Sequence, residues 1–345
     1  MLAAVTEGVR RISLRQRPEP RGPGAGEVLL APAAVGICGS DYHFFHGELS
    51  EAAGGSQFPR VQGHELAARI VALGAGCREQ LRVGQLVAIW PLQACGECYP
   101  CRVGRSNTCE RFRLIGIHED GGLQELLVVP QQQVYPIDCD DPAVAALAEP
   151  MSIAVRALER ARLAPGEQAV VLGAGPIGQC ICLLARERGA RVLAIDTRPQ
   201  RLEAGAALGV ETLPWQGLEE TVRAARAWAP DSGGPPVAID ATGAPEAVRA
   251  MVELCAAAGR AVQVGMSSAE VALRVGSLTE KELDLLGVSC CNAEEFAQAV
   301  AVVERNGPAL AQLISDRFTL REAPDAIRFA SENPGEVMKV VIENG

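Results

Sequence analysis

The chain has 345 residues, of which 48% are apolar and 21% charged, and its formal net charge is −10. That length exceeds one ordinary core and predicts two domains, while the acidic balance argues against nucleic acid or an anionic membrane as partner. No apolar stretch of signal-peptide length lies in Met1–Arg11. The longest apolar run, Ala169–Ala185, is broken by Gly173, Gly175, Pro176 and Gly178, so a cytoplasmic chain without a membrane span is expected.

Residues 1–150 carry short β-like runs at Val28–Ala31, Ala67–Leu73, Leu86–Ile89 and Leu123–Val129. Turn signals such as Gly22-Pro23-Gly24 and Gly74-Ala75-Gly76 separate them, which predicts an irregular β-rich domain. From residue 151 the texture changes to alternation. Helices are expected at Met151–Arg162, Ile177–Arg188, Gln200–Leu208 and Pro245–Ala258. Strands are expected at Gln168–Leu172, Arg191–Ile195, Val237–Asp240, Arg260–Val264 and Leu283–Val288, so the region reads as a doubly wound parallel sheet. The end of the chain is mixed, with helices at Ala293–Asn306 and Ala323–Ser331 and a closing strand at Val337–Ile342.

Twelve cysteines in a long acidic chain point to metal or catalysis rather than to a disulfide framework. Cys95, Cys98, Cys101 and Cys109 form C-x2-C-x2-C-x7-C. Four thiolates so close in sequence can close a tetrahedron around zinc with no open position, which makes a structural site for a lobe with little core of its own; a redox thiol pair or an iron–sulfur cluster is the rival reading. A second set is dispersed: Gly36-Ile37-Cys38-Gly39-Ser40-Asp41 with His43, then Gly63-His64-Glu65, then Glu149-Pro150. One thiolate, one imidazole and one or two carboxylates can hold a zinc with an open position, although sequence does not show that these segments meet. Taken singly, His64 is more often a hydrogen-bonded packing residue, Cys38 most often a small buried hydrophobe, and Glu149 a helix-start carboxylate.

The turn Gly173-Ala174-Gly175-Pro176-Ile177-Gly178 is G-x-G-x-x-G between an expected strand and helix. The first glycine permits the tight turn, the second lets backbone approach a pyrophosphate, and the third lets helix and strand pack closely. Backbone N–H groups at the helix start would hold the phosphates, so the acidic surface is no obstacle. Asp196 ends the next strand, where a carboxylate accepts from the adenosine ribose and repels a 2′-phosphate. That favours NAD, while Arg198 and Arg201 keep NADP open. Thr242, Val264, Gly265 and Met266 end later strands, where the rest of the cofactor is expected.

The order of these motifs resembles the zinc-containing medium-chain dehydrogenases over nearly the whole chain. It is most similar to their polyol branch of sorbitol, threonine and sugar-acid dehydrogenases, through Ala148-Glu149-Pro150-Met151-Ser152-Ile153 and the ending Ile314–Phe318 with Pro334-x-Glu336-Val337-x-Lys339-Val340. The resemblance implies a two-domain α/β chain. A GroES-like β-barrel catalytic domain would take residues 1–150 with 288–345, including a structural zinc lobe at 93–112, and a Rossmann NAD-binding domain would take 151–287.

The resemblance further implies two zinc ions, one held by Cys38, His64 and Glu65, with Glu149 as fourth ligand or neighbour, the other by the four cysteines. Asp41 would orient His64, Ser40 would take the substrate hydroxyl's proton, and His43 would pass it to solvent. The activity implied is reversible hydride transfer from a secondary hydroxyl of a small polyol, sugar acid or related alcohol to NAD, by a homodimer or homotetramer. Phe44, His118 and Ser289 are the candidates for the substrate wall, with plain core packing the equal alternative for Phe44 and a solvated turn residue for His118.

Two departures stand out. Gly287–Asn292 has no arginine where sorbitol and sugar-acid dehydrogenases carry one, which weakens sorbitol or a carboxylate-bearing substrate, and Ala68 replaces a usual glycine. The competing readings are a zinc-free quinone or enone reductase on the same fold, which would lack both cysteine-containing sets, and a non-catalytic nucleotide-binding protein.

Overall fold

The computed structural model describes residues 1–49, 55–333 and 335–344. Pro334 of the C-terminal motif lies outside them. The chain divides into one compact unit of Met1–Ser152 with Asn292–Gly345 and a second of Ile153–Cys291.

The first unit is built on a 7-stranded sheet in the order Val134–Pro136, Leu86–Ile89, Glu65–Leu73, Glu27–Gly36, Val340–Glu343 and Asp316–Thr319, with Leu127–Pro130 also pairing with Glu27–Gly36. Glu27–Gly36 is central. It runs antiparallel to Glu65–Leu73, with Gly36 opposite Glu65, and its other edge sets Gly36 opposite Val341. Alternate residues of this strand point into a core of Leu30, Val35, Leu66, Ile70, Val87, Ile89, Val340 and Ile342. A smaller sheet adds Leu2–Gly8 between Arg11–Gln16 and Arg60–Val61.

Several bounds differ from the sequence expectation, each for a visible reason. The run expected at Leu123–Val129 is a strand only over Leu127–Pro130. Residues 121–123 instead donate to the carbonyls of Val61, Gly63 and Gln62, which packs this segment on the loop leading into His64. Glu65–Leu73 starts at Glu65 because the ladder with Gly36 begins there. Gly39–His46 is a helix that periodicity did not signal. Asp41 anchors its first turn by accepting from the Cys38 N–H at 2.9 Å, and Gly47 ends it at φ 74°. The helix expected at Ala293–Asn306 continues to Ala311 across a kink at Asn306.

The second unit is a 6-stranded parallel sheet in the order Glu211–Pro214, Arg191–Asp196, Gln168–Leu172, Val237–Asp240, Arg260–Gln263 and Asp284–Gly287. The chain reverses its direction of travel between Gln168–Leu172 and Val237–Asp240, the switch point at which doubly wound sheets open a ligand crevice. Val170, Leu172, Leu193, Ile195, Ala238, Met251 and Ala261 form part of its core. The outer strand Glu211–Pro214 and the helix Leu218–Trp228 gave no clear sequence signal. Both are largely half-exposed, so their apolar pattern is diluted. Pro245–Leu254 ends short of the expected Ala258 because the Lys281 ammonium donates to the carbonyls of Val252, Glu253 and Cys255 and closes the helix there.

Candidate metal and nucleotide sites

Cys38 follows the central strand and precedes helix Gly39–His46, while His64 and Glu65 stand at the start of the neighbouring strand. Strand adjacency brings these remote positions together: one ligand atom from each of Cys38, His64 and Glu65 lies within 4.8 Å of the others. Gly36 makes this approach possible, because a Cβ there would sit 2.2 Å from Glu65 Oε2. His64 and Glu65 are buried, and Cys38 is partly so.

One nitrogen of the buried imidazole lacks a partner among the described residues, while the ring also bonds the Cys38 side chain. Its Nε2 lies 3.4 Å from Ser40 Oγ and its Nδ1 lies 3.8 Å from Asp41 Oδ1, too far for a hydrogen bond. Nδ1 has no hydrogen-bond partner among the described residues. Burial opposes charge on His64, yet Asp41, Cys38 and Glu149 together hold it well above the usual imidazole range. Burial pushes the Asp41 carboxyl up. Burial, with Glu65 and Asp41 adding to it, pushes Glu149 up to about 7. A cation held among these groups would favour their ionised forms. With a thiol, an imidazole and a carboxylate in reach, the donor set suits zinc.

Lys339 was visible only as part of the C-terminal motif, with no role attached. Its Nζ donates to Glu65 Oε1 and Oε2 at 2.8 and 2.7 Å and to the Ile37 carbonyl at 3.1 Å. Burial opposes the charge on this lysine, and Glu65 and Cys38 outweigh it and raise the pKa. Flanking apolar residues hid the signal: Lys339 leads directly into the buried strand Val340–Glu343.

Glu149 lies in the first turn of helix Ala148–Ala161, outside the three-residue group, and acts on His64 through charge. His43 is exposed and faces Glu48 at 3.7 Å. Phe44 has 0% exposure and packs edge to face on Phe58, so in this conformation it offers a substrate no surface. His118 accepts the Leu114 N–H at 3.0 Å and packs edge to face on Phe112, which ties it to its own turn. Burial, then Arg113 and Arg60, lower its pKa. Ser289 is exposed just beyond the last parallel strand.

The cysteine lobe closes as its spacing suggests. Ligand atoms of Cys95, Cys98, Cys101 and Cys109 lie within 4.8 Å of one another, and Cys98 Sγ is 3.4 Å from Cys101 Sγ and 3.7 Å from Cys109 Sγ. A tetrahedron with zinc–sulfur bonds of about 2.3 Å has sulfur–sulfur edges of roughly 3.8 Å, so the sulfurs are spaced for that ion. Backbone N–H donors from Glu97 and Cys98 bring the Cys95 thiol down to about 6, while burial and the Cys98 sulfur push Cys101 up to about 12. Strands Leu92–Gln93 and Arg113–Leu114 pair at the base of the lobe.

In the second unit Gly173 and Gly178 have the steric roles expected of them. Gly173 sits at φ 94°, and a Cβ there would lie 2.5 Å from the Thr242 side chain. A Cβ on Gly178 would lie 1.8 Å from the Gly173 carbonyl oxygen, so only glycine lets the helix Pro176–Glu187 pack this closely. At Gly175 a Cβ would meet nothing nearer than Arg201 at 3.7 Å, which leaves open space above the helix start for a pyrophosphate.

Asp196 accepts from the N–H groups of Ala174 and Arg198 at 2.7 and 2.9 Å, and Arg201 stands 3.8 Å away. Pro176 and Ile177 open the helix, partly exposed. Asp240 organises the later loops by accepting from Thr242 and Gly243, and Gly243 and Gly265 lie backbone against backbone, with Val264 half-buried and Met266 exposed beside them.

A glycine-turn dinucleotide fold in one chain with a closed four-sulfur metal group and a mixed-donor metal group defines a metal-dependent dehydrogenase. Comparison with known proteins agrees. Residues 24–139 match the alcohol dehydrogenase GroES-like domain and residues 176–305 the zinc-binding dehydrogenase domain. L-Galactonate-5-dehydrogenase of Escherichia coli (strain K12) is 35% identical over 99% of this chain and 98% of its own. The rspB dehydrogenase of E. coli CFT073, solved with NADH, superposes with a TM-score of 0.88 at 30% identity over 99% of both chains. A zinc-binding dehydrogenase of Sinorhizobium meliloti, solved with NADP, gives 0.89 at 30% identity over 99% of this chain and 98% of that one. The chain belongs to the zinc-binding, GroES-like alcohol dehydrogenases, in their polyol and sugar-acid branch, and is an oxidoreductase. No helix among the described residues is long and apolar enough to cross a membrane.

Proposed function

We propose that the chain is a two-zinc, NAD-linked dehydrogenase that oxidises a secondary hydroxyl of a polyol, sugar acid or similar small alcohol to the carbonyl, releasing NADH and one proton. The observation that carries this reading is the convergence of Cys38, His64 and Glu65 within 4.8 Å. Residues 1–150 with 288–345 are assigned the metal chemistry and 151–287 the nucleotide. The resemblance supports a homodimer or homotetramer in the cytoplasm.

A zinc held by Cys38 and His64, with Glu65 or Glu149 completing the set, supplies a Lewis acid for the alcohol oxygen. Oxidised nicotinamide supplies the hydride acceptor. Ser40 Oγ, 3.4 Å from His64 Nε2, is placed to take the hydroxyl proton, and exposed His43 to pass it to water. Asp196 favours NAD because a buried carboxylate at the strand end receives ribose hydroxyls and repels a 2′-phosphate. Arg198 and Arg201 beside it are the residues that would serve NADP. The relative named for L-galactonate keeps sugar acids in the substrate class despite the missing arginine after residue 287.

The test is a screen of polyols, aldonates, hydroxy amino acids and simple secondary alcohols, read by NADH absorbance. Turnover confined to polyols or aldonates supports the reading, and no turnover on any class with both metal groups filled overturns it.

A further inference from the structure

Two buried polar residues next to the dispersed metal group have no place in the chemistry above. Thr6, in the strand Leu2–Gly8, and Gln62, in the loop before His64, are both 0% exposed, as is Asp41 between them and the imidazole. Thr6 Oγ1 donates to Gln62 Oε1 at 2.6 Å. Gln62 Nε2 donates to the Asp41 carbonyl at 2.9 Å and to Asp41 Oδ1 at 3.3 Å. Asp41 Oδ2 accepts from the Cys38 N–H at 2.9 Å, and Oδ1 stands 3.8 Å from His64 Nδ1.

The direction of this chain is fixed by chemistry. Turning the Gln62 amide over would set its oxygen against two oxygens of Asp41, where nothing can donate. Only with Nε2 toward Asp41 is every member served, and the Thr6 hydroxyl, able to donate or accept, donates to Oε1 and holds the amide in place from behind. The Asp41 carboxylate is thus gripped at both oxygens, Oδ2 by the residue that carries the thiol and Oδ1 by Gln62. A buried amide without partners costs about 1–3 kcal/mol, so an apolar residue would be the simpler filling for this position.

We propose that Gln62 is a positioning residue: its amide, locked by Thr6, holds Asp41 in the rotation that presents Oδ1 to His64 Nδ1 and so aims Nε2 at the metal. This rests on the assignment of Cys38, His64 and Glu65 as zinc ligands. It adds two residues to the site, neither of which touches metal, substrate or cofactor. Outer partners of a ligating histidine typically change metal affinity by roughly 10–100-fold, and that is the size of effect expected.

The experiment follows zinc release from the full chain into a chromophoric chelator. Wild type is expected to release two zinc ions in two phases. Gln62→Met keeps the volume and removes the amide. It should speed the phase of the dispersed site by roughly 10–100-fold and alter the d–d spectrum of the cobalt-substituted protein. The phase of the cysteine lobe is the internal reference and should not move. Thr6→Val should change the same phase by less, and Thr6→Val with Gln62→Met should match Gln62→Met alone, because the hydroxyl acts only through the amide.

Release from Gln62→Met at wild-type rates with an unchanged cobalt spectrum overturns the inference, as does simple addition of the two substitutions, which would mean packing alone. Should Gln62→Met fail to fold, Thr6→Val carries the same test, and an unchanged release rate there overturns the inference. A wild-type chain that binds a single zinc refutes the underlying assignment instead, and that result is read before any variant is made.

Discussion

Replacing Lys339 with methionine removes the cation that Glu65 faces and keeps the length of the side chain. The two side chains are 4% and 1% exposed, and the ammonium spends its bonds on both carboxylate oxygens and the Ile37 carbonyl. With Lys339 gone, Glu65 is a buried carboxylate without a partner, and breaking such a pair from one side typically costs about 3–5 kcal/mol. At about 2–4 °C per kcal/mol for a domain of this size, the melting temperature should fall by roughly 6–20 °C. Urea unfolding of chelator-treated protein measures the loss. Lys339→Met with Glu65→Leu should recover most of it, since removing both partners leaves no uncompensated charge. Zinc should also shrink the loss, because the ion replaces the missing positive charge beside Glu65. A Lys339→Met protein within about 1 kcal/mol of wild type without metal would refute the claim that this pair is buried and tightly coupled.

Asp196→Ala should weaken NAD and relax the rejection of NADP. Titration with NADH and with NADPH, followed by the fluorescence of the reduced nicotinamide, checks this, and an unmoved preference would place the ribose elsewhere. Glu149 gives a pH signature. Its carboxyl is raised from 4.5 to about 7, so between those values the native chain keeps a proton that the unfolded chain has released. Stability of metal-stripped protein should therefore fall as pH rises through that window, by roughly 1–3 kcal/mol, and Glu149→Gln should flatten this slope. Equal slopes in urea titrations of the two proteins would show that Glu149 does not titrate there.

Where a motif states its chemistry through residue type and spacing, it was legible in the sequence. The four cysteines announce their lobe because so many thiols at that spacing have few other uses. Gly173 and Gly178 announce the nucleotide turn because a side chain at either would collide with its neighbours, and Gly175 because it leaves the space above the helix start open. The strands and helices of the parallel sheet were legible where they are buried, since burial imposes a pattern. Glu211–Pro214 and Leu218–Trp228, half-exposed, carried too little of one.

What the sequence withheld is what long-range pairing creates. Lys339 and Glu65 are 274 positions apart and meet because the strand that follows Lys339 and the strand that begins at Glu65 flank the same central strand. Gln62 carries no sequence signal of a role, and only its contacts with Asp41 and with Thr6 on the first strand give its amide one. Phe44 reads from sequence as either substrate wall or core, and the structure buries it. The helix Gly39–His46 turns successive residues to different faces, and Phe44 goes to the core while His43 goes to water.

Zinc content of Cys38→Ser beside wild type, with NAD binding measured on both, bears most directly on the mixed-donor site. Two zinc ions per wild-type chain, one in the variant, and unchanged NAD affinity with turnover lost are the predicted results. Two zinc ions retained in the variant, or turnover that survives the substitution, would contradict a metal at Cys38, His64 and Glu65.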